Sequence, residues 1–254
     1  MKQSQAKKRD NAMTNKILMG LIALVLGLLF LEILIVHSKN EQQKNASNQV
    51  QTARIMANGD LLYHDGLYMS ALQADGSYDF TENFTYVKPW LKQADLVLGD
   101  FEGTINPDYP LSGYPLFNAP QSVTAAIKDA GYDVMDLAHN HILDSGLEGA
   151  FTTADAFKEV GIDPVGVYEK PVRDKAPLLI KNVNGIKVAI LSYAYGYNGL
   201  ESNLTDKEVA DHLSNLDEKR MKAEIQRAEK EADITVIMPQ MGDICFFFRT
   251  LNLS

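Results

Sequence analysis

One short stretch, Asp136-Leu137-Ala138-His139-Asn140-His141-Ile142-Leu143-Asp144, places two histidines, an amide and a carboxylate on the loop that leaves an apolar run, Tyr132 to Leu137. Nitrogen and oxygen donors of this kind suit a divalent transition metal. In open α/β sheets, ligands gather at the carboxyl ends of strands. Asn and Asp are also turn formers, so the loop alone is equally well read as a capped turn before the next helix. Two further strand ends weigh in. Asp60 follows Gly59 after the run Arg54 to Asn58, and Asp100 and Glu102 follow Gly99 after Asp95 to Leu98. A single Gly-Asp is a common turn, but three strand ends bearing ligands in order are more specific. Carboxylates gathered on one sheet edge repel one another unless a cation lies between them. Two metals about 3.5–4 Å apart would activate a water and clamp a phosphoryl oxygen, with His139 or His141 as general acid. His64, four residues after Asp60, reads as an ordinary loop histidine.

These ends need elements to hold them in place. Beyond the three strands, periodicity predicts helices over Glu82 to Gln93, Gln121 to Ala130, Leu147 to Val160 and Leu216 to Ala232. Pro89 is placed to break or kink the first of them. Ile162 to Val167 and Asp233 to Met238 read as further strands. Pro177 to Lys181 and Ile186 to Tyr193 alternate about Asn184-Gly185, a hairpin signal. Asn106 to Pro120, rich in Pro and Gly, is an excursion over the top of the sheet. Tyr193, Tyr195 and Tyr197 alternate at a strand end and fit a packed sheet face or a polymer groove. Repeated alternation of strand and helix gives a layered α/β sheet with some antiparallel hairpin content.

The chain has 254 residues, 46% of them hydrophobic and 22% charged, and a formal net charge of -9. That balance argues against a nucleic-acid surface, which needs a basic patch. The single cysteine, Cys245, excludes an internal disulfide and a cysteine-rich zinc site. Residues 1–16 are basic, and residues 17–36 form an apolar run interrupted only by Glu32. About 20 apolar residues span a bilayer core, and no A-x-A cleavage pattern follows. We expect an uncleaved transmembrane anchor with its N-terminus in the cytoplasm, which puts the protein in the cell membrane as a single-pass chain with its domain outside. Residues 37–52 are polar and aperiodic and read as a flexible linker. The globular domain covers 53–242.

The motifs Gly59-Asp60, Gly99-Asp100-Phe101-Glu102, Phe117-Asn118-Ala119-Pro120 and Ala138-His139-Asn140-His141 with Asp144-Ser145-Gly146 together resemble the CapA family of bacterial capsule and poly-γ-glutamate synthesis proteins. The resemblance covers roughly Ala53 to Gly242. It implies an α/β, layered metallophosphoesterase-like sheet with helices on both faces, incomplete at the C-terminus and preceded by one transmembrane helix. It implies Asp60, Asp100, Glu102, Asn140 and His141 as metal positions, with His141 and Asn140 as the catalytic candidates. The ions would be Mn, Zn or Fe, one or two of them. Partners would be the membrane and other capsule or polyglutamate synthesis subunits. Two departures stand out. The second motif has Asp100 where the family more often has Asn. The late strand ends Gln240-Met241-Gly242 where the family usually has His-x-Gly. Residues 243–254 do not match the family, and no Gly-His-x-His motif follows, so the expectation is a truncated form with an incomplete metal shell, weak metal binding and poor stability. Three functions are in play: an anchored protein of capsule or poly-γ-glutamate synthesis or export, a metal-dependent phosphoesterase acting on a cell-envelope substrate, and a non-catalytic scaffold subunit of a membrane polymer-synthesis complex.

Overall fold

A computed structural model describes residue 28, residues 31–39 and residues 50–242. The chain divides into two units, 1–50 and 51–254. In the first, residues 31–39 are helical with exposed side chains. Among the described residues no helix is long and apolar enough to cross a membrane. Most of the expected anchor, the basic segment before it, most of the linker and the tail from residue 243 lie outside the described residues.

The second unit is built on two sheets. Strands β1 (Ile55–Asp60), β2 (Leu96–Asp100), β3 (Val134–Asp136) and β4 (Asp163–Val165) form a wholly parallel sheet in the order β1-β2-β3-β4. Strands β5 (Leu179–Val183), β6 (Ile186–Ala194) and β7 (Ile234–Gln240) form the other, in the order β5-β6-β7. The β5–β6 pair is the expected antiparallel hairpin, and β7 runs parallel to β6. Asn184 and Gly185 both adopt positive φ at its tip, 53° and 89°, as a tight hairpin turn requires.

Alternation of side chains along the strands decides the layering. On one face of the first sheet Val97 and Met135 pack with Ile127 of α3 (Ser122–Ala130) and Phe157 of α4 (Gly146–Glu159), two helices numbered after α1 (Asp65–Ala71) and α2 (Lys88–Leu91). On the other face Leu96, Leu98, Val134 and Val165 pack against Val183, Val188 and Ile190 of the second sheet. The opposite side of β6, Ala189, Leu191 and Tyr193, lies against Ala228, with Met221 and Ile225 alongside, from α6 (Glu218–Glu231), which follows α5 (Asp206–His212). The result is helix, sheet, sheet, helix. The helices expected on both faces of one sheet are instead shared between the outer faces of two. A parallel sheet must be covered on both sides, and here the hairpin sheet supplies the second cover. Each Leu or Ile buried between the sheets contributes about 1.5–3 kcal/mol.

The helix expected over Glu82 to Gln93 is not continuous. A 3-10 turn, Thr81–Phe84, is followed by the short α2, with Pro89 inside its first turn. Proline has no N–H to continue a preceding helix but fits a first turn. Phe84 is buried, whereas Val87 and Trp90 are exposed, so the predicted apolar face does not form.

Candidate functional site

The three parallel strands nearest the N-terminus each end in aspartate, and the register aligns them: Asp60 pairs with Asp100, and Asp100 with Asp136. Residues paired across a parallel sheet share a face. For Asp60 this depends on an irregularity. Ala57 pairs with Leu98, yet Asp60 pairs with Asp100, so β1 spends one extra residue across Asn58-Gly59. Without it, Asp60 would fall on the face opposite Asp100. Re-aiming a side chain next to a site is a recurrent use of a bulge. Asp136 was not singled out from sequence. Its signal was there, as the strand-final carboxylate of the same stretch that supplies His141.

Asp100 and Asp136 point from the first sheet toward the second. The Ser192 hydroxyl of β6 donates to Asp136 Oδ1, and the Ala138 amide donates to the same oxygen at 2.7 Å. Asp100 Oδ1 is buried without a partner. Burial, then the charges of Asp136 and Asp60, holds the Asp100 carboxyl well above the ordinary range. Glu102 is raised likewise, first by burial and then by a hydrogen bond and charge repulsion from Asp60. A hydrogen bond between two carboxyls requires a proton on one of them. Crowding of buried carboxyls makes Asp100 and Glu102 hold their protons more tightly than free carboxyls do.

His141 sits at the margin of this cluster. Its Nδ1 lies 2.8 Å from Asp144 Oδ2, and its ring meets Phe117 edge-on, with centroids 4.8 Å apart. Burial opposes its protonation, but the bond to Asp144 and the charges of Asp144 and Glu102 outweigh burial and raise its pKa. His139 is fully buried, and burial lowers its pKa to about 3, so it stays neutral. Its Nδ1 accepts from the His141 amide at 3.2 Å, which places it as a brace of the loop rather than a proton donor. Gly166, at φ +103°, lets the chain after β4 pass the Ala138 backbone where a Cβ would lie 2.7 Å from Ala138 N.

Asn140 is engaged on both ends of its amide. Its Nδ2 donates to Asn198 Oδ1 at 3.2 Å, and its Oδ1 accepts from Gln240 Nε2 at 3.2 Å. Gln240, the last residue of β7, thus reaches the site, bonded to a predicted ligand. Sequence reading did not single out Asn198, which lies on the turn after β6 at φ +55°. His64 stands apart: its Nδ1 accepts from the Asp65 amide and caps α1. Of the alternating tyrosines, Tyr193 and Tyr197 are buried and only Tyr195 is exposed, which favours the packed face.

The donor chemistry, with crowded carboxylates, an orphaned Asp100 oxygen and a neighbouring imidazole, fits a divalent cation. Among the described residues, however, no three His, Cys, Asp or Glu side chains converge tightly enough to hold one as they stand.

The excursion before α3 forms the outer wall. Asn118 fixes it: its amide donates to the carbonyls of Asn106, Tyr109 and Pro110 at 3.0–3.2 Å, and its Oδ1 accepts from the Asn106 amide at 2.8 Å and the Thr104 hydroxyl at 3.2 Å. The Phe117 amide donates to Asp144 Oδ2 at 2.6 Å, which ties this wall to the His141 loop.

Residues 54–244 match the family described as bacterial capsule synthesis protein PGA_cap. The capsule biosynthesis protein CapA of Bacillus anthracis is 31% identical over 63% of this chain and 40% of its own length. The PGA biosynthesis protein CapA of Bacillus subtilis (strain 168) is 25% identical over 92% of this chain and 60% of its own. The chain thus spans between two fifths and three fifths of these relatives. A solved structure of a candidate 5′-nucleotidase from Staphylococcus aureus, in complex with alpha-ketoglutarate, aligns over 75% of this chain and 38% of its own at 12% identity and a TM-score of 0.47, a likeness too slight to argue from. By the extent of the family match, this chain belongs to the bacterial capsule synthesis protein family PGA_cap.

Proposed function

We propose that the protein acts in capsule or poly-γ-glutamate synthesis or export as a membrane-anchored, extracytoplasmic member of its family, and that Asp60, Asp100, Glu102, Asn140 and His141 are its divalent-metal residues. The observation that carries the metal reading is the register of Asp60, Asp100 and Asp136 on adjacent strand ends, with Glu102 beside Asp60 and His141. A divalent ion there would supply Lewis acidity toward a phosphoryl oxygen, the chemistry of the metallophosphoesterases that the motifs resemble. The chain's own residues contribute the rest. The buried carboxylates give up protons when a cation replaces them. Asp144 orients His141 through Nδ1, leaving Nε2 to hold a proton for transfer. Asp136, fixed by Ser192 and the Ala138 amide, positions the loop that carries Asn140 and His141.

Metal content of the full chain in detergent, followed through dialysis against manganese and then metal-free buffer, tests this. With an incomplete ligand shell we expect weak binding by the wild type, measurable in the manganese dialysis and largely lost in the metal-free one, and less binding still by Asp100→Asn and His141→Ala. Equal binding by all three overturns the site. Restoration of capsule to a strain lacking its own copy tests the biological role.

A second reading, a non-catalytic scaffold within a polymer-synthesis complex, is favoured by one observation: the Asn140 amide is occupied by Gln240 and Asn198. Co-purification of membrane subunits that persists in Asp100→Asn and is lost without residues 1–36 would support it. Hydrolysis of p-nitrophenyl phosphate that depends on added manganese would argue against it.

A further inference from the structure

Contiguous large apolar side chains left outside a fold mark a contact surface. Such a group stands in the open between β1 and β2. Tyr86 is 89% exposed, Trp90 65% and Val87 46%. The cause is local. Pro89 confines α2 to a single turn, and Leu91 is its side chain that packs on the core. Tyrosine and tryptophan, apolar bodies with one polar handle, favour the boundary between lipid and water.

The place where the chain enters the second unit identifies what covers this face. The Thr52 carbonyl accepts from Asn184 Nδ2 at 3.0 Å. Arg54 Nη1 donates to the Gln93 carbonyl at 3.1 Å, and the Arg54 amide to Asp95 Oδ2 at 2.8 Å. Gln93 in turn donates to the Pro89 and Trp90 carbonyls, each at 3.0 Å. The patch therefore borders the point of entry. That point is at the N-terminal end of the parallel strands, opposite the end that carries Asp60, Asp100 and Asp136. Residues 37–50 lie between it and the apolar run 17–36. A coil of that length spans on the order of 20 Å, whereas a domain of this size is about 40 Å across. On the anchored reading, a tether this short holds the entry end near the bilayer and leaves the strand-end cluster remote from it. The charges around the patch balance: Arg54, Lys88 and Lys92 stand against Glu82, Asp95 and Asp129, with Lys88 bonded to Asp129. A balanced patch docks by burying aromatic and apolar surface, not by charge.

We propose that Tyr86, Val87 and Trp90 form a membrane-contact face, seated at the headgroup level of the bilayer that carries the anchor. The inference rests on the anchored reading and goes beyond it, because a tether alone leaves the domain free to tumble. A domain seated on this face turns its strand-end carboxylates away from the lipid, toward the space where an exported polymer or an envelope substrate lies.

Trp90 is the single tryptophan of the chain, so its fluorescence reports on the patch without any label. The full chain is reconstituted into phosphatidylcholine vesicles, with ordinary lipid or with lipid brominated high on the acyl chains, a quencher that acts only at contact. Flotation of the vesicles tests the anchor separately. We expect the chain to float, brominated lipid to quench Trp90, and the quenching to persist in high salt. The double variant Tyr86→Ser, Val87→Asp, at two exposed positions, is expected to float equally and to lose most of that quenching, with a circular dichroism spectrum unchanged from the wild type. A chain that floats with Trp90 unquenched by brominated lipid and open to aqueous acrylamide overturns the face while the anchor stands. Trp90 shielded from both quenchers shows that protein covers it and also overturns the proposal, as does equal bromolipid quenching in the folded double variant. A chain that does not float removes the anchored reading and this inference with it.

Discussion

Asn118 makes the densest set of hydrogen bonds near the site, five in all from one buried side chain. Removing it leaves the Asn106 amide and the Tyr109 and Pro110 carbonyls short of partners, while the Asn106 carbonyl keeps the Tyr109 amide and the Thr104 hydroxyl keeps the Phe117 carbonyl, so Asn118→Ala is expected to lower stability by about 2–4 kcal/mol, read as a shift of the urea midpoint. Asp would not substitute, since a carboxylate has no N–H to donate. The carboxyl cluster makes a prediction of the opposite kind, about pH. Asp100, Glu102 and Asp136 all have pKa values raised in the fold, chiefly by burial. A raised carboxyl means that the folded state binds protons more tightly than the unfolded chain. Its contribution is complete below the ordinary carboxyl range and is lost as pH rises through the raised values. The chelator-treated protein is therefore expected to melt at progressively lower temperature from pH 5 to pH 9, and Asp100→Asn to flatten that slope. A melting temperature that climbs over this interval would contradict the assignment. Added manganese should restore stability most at the alkaline end, where it replaces the missing protons.

At the scale of elements, one interaction pins the outer helix to the rest. Arg173, on a 3-10 turn between β4 and β5, is buried with its guanidinium on Glu224 of α6, at 2.9 Å from both Nε and Nη2. Its Nη1 also reaches the Leu213 carbonyl and Asn215 Oδ1, and Tyr193 donates to Glu224 at 2.8 Å. Breaking a buried pair from one side strands the other charge. Arg173→Ala is expected to cost about 3–5 kcal/mol, and Arg173→Lys to recover little of it, because an ammonium cannot bridge both carboxylate oxygens in the plane that a guanidinium does. Denaturant melts of the two variants check this. Strand β7 poses the reverse problem. It lies at the edge of its sheet among the described residues, with Ile234 and Ile237 exposed. An apolar edge invites pairing between chains. Ile237→Lys should reduce aggregation on concentration, measured by light scattering, without lowering the melting temperature by more than a degree or two. Less soluble protein would show that this edge is covered in the intact molecule.

For the molecule as a whole, the proposal of an outward-facing domain on a single anchor predicts that protease added to intact cells removes the 53–242 domain while a cytoplasmic control protein survives. Full protection of the domain in unbroken cells, with cleavage only after lysis, would place it on the other side. Much of the architecture was legible beforehand because its signals are local. The β5–β6 hairpin follows from alternation about Asn184-Gly185. Helices α3, α4 and α6 follow from apolar periodicity and their stop signals, within two residues of the observed ends. The stretch before β2 was not legible, because its apolar residues share a helical spacing that Pro89 prevents the chain from using.

By itself, the sequence determined which chemistry this protein can attempt: strand-final carboxylates, an Asn-His pair and an aspartate three residues beyond it, at spacings that only a strand-loop-helix connection satisfies. Tertiary structure alone decided which of these groups meet. A one-residue irregularity in β1 brings Asp60 onto the face of Asp100. A second sheet, folded over the first, sets Ser192 on Asp136. The end of β7, a hundred residues beyond Asn140 in the chain, places Gln240 on its amide oxygen. No pattern along the chain encodes such encounters, because they depend on sheet register and on how two layers stack.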